Sequence, residues 1–296
     1  MIGRRGPVLE VGPGPYRAGD TVAATVVVPR SIEGIHAARV ELGYVNGFRH
    51  VWVGAAADSG PGTTKDAHAW VPVVDRPLDA TGGVLVEGRH LAAFQVPAGA
   101  PGSSGTAGPH HRTVAWQVRL RIERRGRDVA VDVPLTVVVA APDPAPERAD
   151  LPLVQGERRT ADSVLFDIAA ERTCYLPGSE VRGVLGLTSR DPVARTALVA
   201  AWFQELLDSH PLEKVPPTGA SEAHLPRPMI PVAKGVSLVQ GRRVELPFTL
   251  PLPTGIDPTT DAVHSSLRWN VEFKVEFSGL TGEIVRARLP IVVHTA

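Results

Sequence analysis

Five arginines stand close together in one part of the chain: Arg119, Arg121, Arg124, Arg125 and Arg127. The first two sit in Val114-Ala115-Trp116-Gln117-Val118-Arg119-Leu120-Arg121-Ile122-Glu123, where Val114, Trp116, Val118, Leu120 and Ile122 alternate with the other residues. That alternation defines a strand with one packed and one wet face, so Arg119 and Arg121 are expected to point outward together. The other three surround Gly126, which reads as a turn into the strand Val129-Ala130-Val131. Guanidinium groups hold carboxylates and phosphates through paired N–H donors. The expectation is a cationic strand face and hairpin tip that binds a protein partner through an acidic or phosphorylated segment. Glu123 and Asp128 lie beside the arginines, so the alternative is a solvated face whose charges simply balance.

Other chemistry is sparsely supplied. Cys174 is the single cysteine, which excludes an internal disulfide and a multi-thiolate metal site. It stands beside Tyr175 with no neighbouring base to mark it as a nucleophile. His110 and His111 are adjacent in a Pro/Gly-rich loop, with His90 on an earlier strand. Neighbouring side chains of an extended segment point to opposite faces, so this spacing does not make a metal site. Val11-Gly12-Pro13-Gly14-Pro15 lacks the lysine and hydroxyl of a phosphate-binding loop, and its prolines remove the amides such a loop uses. Gly102-Ser103-Ser104-Gly105 is a loop, not a nucleophile elbow. No catalytic residue, metal ligand or cofactor is expected.

The elements that must position these residues are strands. The 296 residues are 43% hydrophobic, too apolar for a disordered chain, yet carry 29 glycines and 28 prolines. Many turns joining short strands fit that mixture. Leu267, Trp269, Val271, Phe273, Val275 and Phe277 alternate with polar residues, as Trp116 and its neighbours do. Ala194 to Ser209 is ambiguous by spacing, and it reads as a strand by comparison with Arg39 to Tyr44. Net charge is zero, so no general attraction to nucleic acid or anionic membrane is built in. No run approaches the roughly 20 apolar residues that span a bilayer. Met1 to Pro7 lacks an apolar core behind its two arginines, so no signal peptide is read and a cytoplasmic location is expected. Only four basic residues are lysine (65, 214, 234, 274), an arginine bias typical of a GC-rich bacterium.

An internal repeat organises the whole. Tyr16-Arg17-Ala18-Gly19-Asp20-Thr21-Val22 recurs as Tyr175-Leu176-Pro177-Gly178-Ser179-Glu180-Val181. Leu85 to Arg89 recurs as Leu238 to Arg242, Phe94-Gln95-Val96-Pro97 as Phe248-Thr249-Leu250-Pro251, Trp116 as Trp269, and Val133-Pro134-Leu135 as Leu289-Pro290-Ile291. The order is kept throughout. Two β domains are therefore expected, at residues 1–140 and 151–296. The Pro-rich segment 141–150 between them is expected to be an extended linker. Gly99 to His111 and Pro211 to Pro231 read as mobile loops. Gly19 and Gly178 are expected to take positive φ in a tight turn, Pro97 and Pro251 to end strands, and Trp116 and Trp269 to anchor two cores.

These landmarks resemble the arrestin-like fold family. They are the Tyr-x-x-Gly-x-x-Val turn, the later Phe-x-(Val/Leu)-Pro, the alternating strand with its aromatic, and the last (Val/Leu)-Pro-(Leu/Ile). The resemblance covers nearly the whole chain. It implies an all-β tandem pair of immunoglobulin-like (arrestin-like) antiparallel β-sandwiches, distantly similar to the bacterial sporulation-control proteins. No phosphate-sensing residue of that family carries over to a position here. The function it implies is a non-enzymatic scaffold or adaptor that binds a protein partner, with no nucleic acid and no membrane span. The alternative is a carbohydrate-binding or hydrolytic sandwich, which would carry paired carboxylates or stacking aromatics at one end. Aromatics make up only 5% of the chain, and most fall at inward positions.

Overall fold

The computed structural model describes residues 6–52, 63–106, 112–139, 163–209, 222–278 and 283–295. The Pro-rich segment 141–150, His110 and His111, and residues 211–221 lie outside the described residues; of the stretch 211–231 read as a loop, Glu222–Pro226 and the residues from Ile230 are strands paired with Arg195–Ser209, because prolines at strand ends leave the ladder between them intact. The chain forms two compact units. The first takes in residues 1–139, 209–221 and 260–265, and the second takes in 140–208, 222–259 and 266–296.

The first unit contains β1 (Val8–Val11), β2 (Thr21–Val28), β3 (Ile32–Glu33), β4 (Ile35–Trp52), β5 (Thr63–Pro77), β6 (Val84–Leu85), β7 (Gly88–Gln95), β8 (Ser104–Thr106), β9 (Arg112–Arg124) and β10 (Val129–Pro134). One sheet runs β1-β2-β7 and the other runs β10-β9-β4-β5, with β8 also on β9. Val22, Ala24, Val26 and Phe94 from the first sheet pack on Val40, Leu42, Trp116, Val118 and Leu120 from the second. These are the alternate residues of each strand, so period 2 becomes an antiparallel sandwich. Buried Asn46 is satisfied inside this unit: its Nδ2 donates to Ser265 Oγ at 2.8 Å, and its Oδ1 accepts from the His264 amide at 2.8 Å.

The second unit contains β11 (Val164–Ala170), β12 (Cys174–Tyr175), β13 (Glu180–Ser189), β14 (Arg195–Ser209), β15 (Glu222–Pro226), β16 (Ile230–Leu238), β17 (Arg243–Pro251), β19 (Ser265–Phe277) and β20 (Ile284–Val293); β18 (Thr260–Asp261) falls in the first unit's segment. Its sheets run β11-β13-β17 and β12-β20-β19-β14-β15, with β16 also on β14. Ile168, Val181, Leu185 and Leu250 face Val199, Ala201, Phe203, Trp269, Val271 and Phe273 across the core. The run from Ala194 is a strand because Ala197, Val199, Ala201, Phe203 and Leu207 all enter that core. Among the described residues no helix is long and apolar enough to cross a membrane.

The repeated landmarks do matching work. Gly19 has φ 87° and Gly178 has φ 79°, a conformation that a Cβ would disfavour. Tyr16 donates its hydroxyl proton to the Gly12 carbonyl at 2.6 Å, and Tyr175 donates to the Arg172 carbonyl at 2.7 Å. Trp116 and Trp269 are each 1% exposed. Each indole N–H finds a backbone carbonyl, Pro101 at 2.8 Å and Asp257 at 3.0 Å. The loop from Gly99 is therefore tied down over its first half, against the expectation of mobility. Beyond the Pro101 carbonyl that receives the indole, the Ser103 amide donates to the Val137 carbonyl at 2.7 Å, the Ser103 hydroxyl oxygen accepts from the Val137 amide at 2.9 Å, and β8 then pairs with β9.

His294 is one of several buried side chains with unsatisfied polar atoms, the indoles of Trp70 and Trp202 among them. It is 7% exposed, and among the described residues neither ring nitrogen has a hydrogen-bond partner. Burial pushes its pKa below the ordinary imidazole value. The ring therefore takes up a proton less readily in the fold than in the unfolded chain, whose imidazole protonates below about pH 6.5.

Two outcomes are expected. Trp116→Ala or Trp269→Ala should each cost about 3–5 kcal/mol in denaturant unfolding, through the lost packing and the orphaned carbonyl. His294→Leu should raise stability near neutrality. Its unfolding midpoint should also fall less than the wild type's as pH drops below about 6.5, the difference being at most about 1.4 kcal/mol per pH unit. An unchanged acid slope would place the imidazole in water.

Candidate functional site

The arginine hairpin is built by β9 and β10. Register sets Asp132 opposite Arg119 and Ala130 opposite Arg121, while β4 sets Glu41 opposite Arg119 and Arg39 opposite Arg121. Arg119 and Arg121 therefore share the outer face of the sheet, as the alternation implies. That face also carries acids. Arg121 donates from Nη1 to Asp132 Oδ1 at 2.6 Å, and Arg119 Nε lies 3.8 Å from the second carboxylate oxygen. Arg39 is held at 2.7 Å by both Glu41 and Glu123, and these hydrogen bonds push its pKa up.

Arg119 has a further neighbour. Its guanidinium lies 3.5 Å from the ring centre of Trp70, which reaches over from β5. The indole can lie there because β4 has Gly43 beneath it. A Cβ at Gly43 would stand 2.8 Å from Trp70 Cη2 and 2.3 Å from the Val71 carbonyl oxygen. Arg119 is consequently only 16% exposed, and burial lowers its pKa against the opposing pull of Asp132. This is a desolvated cation on an aromatic face, already occupied from within the protein.

Arg124, Arg125 and Arg127 are arranged differently. Arg124 Nε donates to the Arg127 carbonyl at 2.8 Å, and its amide donates to Asp128 Oδ1 at 3.1 Å. The Arg125 amide donates to the Gly34 carbonyl at 2.9 Å. These bonds fix the turn around Gly126, while the Arg125 and Arg127 side chains stand in solvent and Arg124 is half-buried. Among the described residues none of the three guanidiniums meets a carboxylate. The structure thus sorts the five arginines into a neutralised pair on the sheet face and an open trio at the tip. The Trp70 partner escapes sequence reading because nothing local ties residue 70 to residue 119. The glycine amid the alternating residues of β4 is the one signal that points to it.

Elsewhere, Cys174 is half-buried with Thr173 Oγ1 at 3.6 Å. A ring nitrogen of His90 lies 2.8 Å from the Val86 carbonyl oxygen. Among the described residues no three His, Cys, Asp or Glu side chains group as metal ligands. The second unit buries two carboxylates that the alternating pattern hides. Glu205 faces inward and accepts from Arg227 at 3.0 Å, and burial raises its pKa against that pairing. Glu272 points outward from β19 yet is 3% exposed, paired with Arg288 of β20.

No protein-family profile matches the chain, and no curated protein matches it. Among solved structures it is similar to Spo0M, the sporulation control protein of Bacillus subtilis, at 15% identity and a TM-score of 0.38. That match covers 46% of this chain and 51% of the Spo0M chain, about half the length of each. The all-β sandwich assignment rests on the strands and cores described above.

A double-mutant cycle on Arg119→Ala and Trp70→Ala should give a coupling of about 0.5–2 kcal/mol in unfolding free energy. Additive effects would show that the stack contributes nothing to stability.

Proposed function

We propose that this protein is a non-catalytic, arrestin-like scaffold or adaptor with a regulatory role. It binds a protein partner in the cytoplasm and recognises an acidic or phosphorylated segment at the β9–β10 hairpin. The observation that carries the reading is the tip itself. Arg124, Arg125 and Arg127 are held by main-chain hydrogen bonds, with their charges unanswered among the described residues. β10 ends its sheet, so an extended segment has main-chain donors and acceptors to pair with beside the tip. Strand addition supplies affinity there, and the arginines select for negative charge. Arg119 and Arg121 belong to the surface as its rigid floor, because their own charges are already answered by Asp132. The repeat further supports two sandwich domains, 1–140 and 151–296, with the Pro-rich segment 141–150 as the linker between them.

The test is affinity capture from the native cell, then titration of the identified partner. Arg124→Ala, Arg125→Ala and Arg127→Ala together should weaken binding by about tenfold or more and flatten its salt dependence, since exposed charges are screened within roughly 10 Å at 0.1 M. Unchanged affinity and salt slope would remove the tip from the reading, and hydrolysis of a substrate by the purified chain would replace it.

A further inference from the structure

The second unit carries an apolar cleft that the arginine hairpin does not explain. It has a volume of about 190 Å³ and is lined by Leu198, Ala200, Met229, Pro231, Lys234, Lys274 and Glu276. The sequence allows it for two reasons. Ala200 is a small residue in a column of β14 that otherwise holds Leu198 and Trp202, so the column has a gap. The neighbouring strand also bows. Val236 pairs with Ala197, Ala233 with Val199 and Pro231 with Ala200, so β16 carries an extra residue twice over. Gly235, at φ 66°, sits in the first of these bulges. Bulges of this kind re-aim side chains and are common beside binding sites.

The rim is cationic, and its charges are placed at a cost. Lys274 lies directly opposite Arg286 on β20, a like-charge pair that is unfavourable across two strands. Lys274 is answered by Glu276 at 2.6 Å, whereas Arg286 lies 5.6 Å over the Trp202 ring and, among the described residues, meets no carboxylate. Lys234 is exposed and, among the described residues, has no ion-pair partner. Two lysines and one carboxylate thus line the rim, and Arg286 stands next to Lys274 on the adjoining strand. Inside, Leu198 is 38% exposed and Met229 is 60% exposed, apolar surface held open to water. Engineered apolar cavities of roughly 150 Å³ take a benzene ring, so this cleft has room for one large side chain.

We infer that the cleft is a docking site for a short segment of a partner protein that inserts one large apolar side chain, Leu, Met or Phe, followed by acidic residues. The apolar side chain fills the space above Ala200 between Leu198 and Met229. The acids then meet Lys234, Lys274 and Arg286. Such a contact uses one buried anchor for affinity and a charged rim for selection. It shares with the proposed function only the premise that the chain binds a segment of another protein.

The probe is a set of fluorescein-labelled Gly/Ser nonapeptides with one central Leu, Met or Phe followed by two Asp, titrated with the full chain by anisotropy. Saturable binding is expected, weakened at least tenfold when the apolar residue is Ala or the two Asp are Lys. Ala200→Met should fill the cleft and reduce binding at least tenfold, as should Lys234→Glu combined with Lys274→Glu. Met229→Ala, at an exposed position that leaves the core alone, should reduce it at least threefold. The triple alanine variant at Arg124, Arg125 and Arg127 should bind these peptides within twofold of wild type, which separates this site from the hairpin. No saturable binding up to roughly 1 mM protein would overturn the inference. So would equal binding by Ala200→Met with an unchanged unfolding midpoint, or saturable uptake of sodium decanoate in place of the peptides.

Discussion

The buried indoles of Trp116 and Trp269, each donating to a main-chain oxygen, organise the two units. Burying a tryptophan gains a large apolar contact, and a donor left unanswered costs about 1–3 kcal/mol of it, a cost that the buried Nε1 groups of Trp70 and Trp202 carry among the described residues. Trp116 and Trp269 solve this identically, reaching a main-chain carbonyl on the loop that precedes their own strand. The loop then cannot drift. In the first unit it is further stitched to Val137 through Ser103, and it delivers the chain into β8. A segment rich in Gly, Ser and Pro becomes part of the core's hydrogen bonding because a side chain in the core demands it.

With one face of every long strand committed to the interior, chemistry is left to outer faces, edges and turns. The two units spend their outer faces differently. In the first, Arg39, Arg119 and Arg121 are answered by Glu41, Glu123 and Asp132, and Trp70 closes over the glycine gap in β4. That face is self-satisfied, which leaves the tip as its open cationic feature. In the second, Arg288 and Glu272 satisfy each other, but Lys274 and Arg286 are set side by side beside the gap at Ala200. The repeat preserved the landmarks that fold the sandwich and let the outer columns diverge.

That division also explains what was legible in the sequence. The strands, the inward tryptophans, the positive-φ glycines and the run from Ala194 as a strand follow from local patterns, because alternation and turn chemistry are local. The outward direction of Arg119 and Arg121 follows for the same reason. Their partners do not. Asp132 is within reach of a hairpin argument, since Gly126 marks the turn and fixes which residues face each other. Trp70 is not, because its place depends on which strand lies next to β4 and in what register. The buried Glu272 was hidden likewise, since outward alternation says wet until Arg288 is known to stand opposite. The cleft left one trace: in a chain with four lysines, Lys234 and Lys274 meet at one rim.

The zero net charge bears on how any of this surface would work. A strongly charged protein steers its partner through its summed field over about a Debye length before contact and gains association rate, an effect that salt weakens. This chain has no such field to offer, since its 31 basic and 31 acidic residues cancel. Its positive features are local: three guanidiniums at a turn, and two lysines at a cleft with Arg286 beside one of them. If they bind as proposed, bidentate geometry and the fit of one apolar side chain would distinguish one segment from another, and selection would fall on how long a partner stays rather than on how fast it arrives. A sandwich suits that task in part: the turn's main chain is pinned by hydrogen bonds and the cleft is built between strands, so only the exposed arginine side chains would have to be ordered on binding.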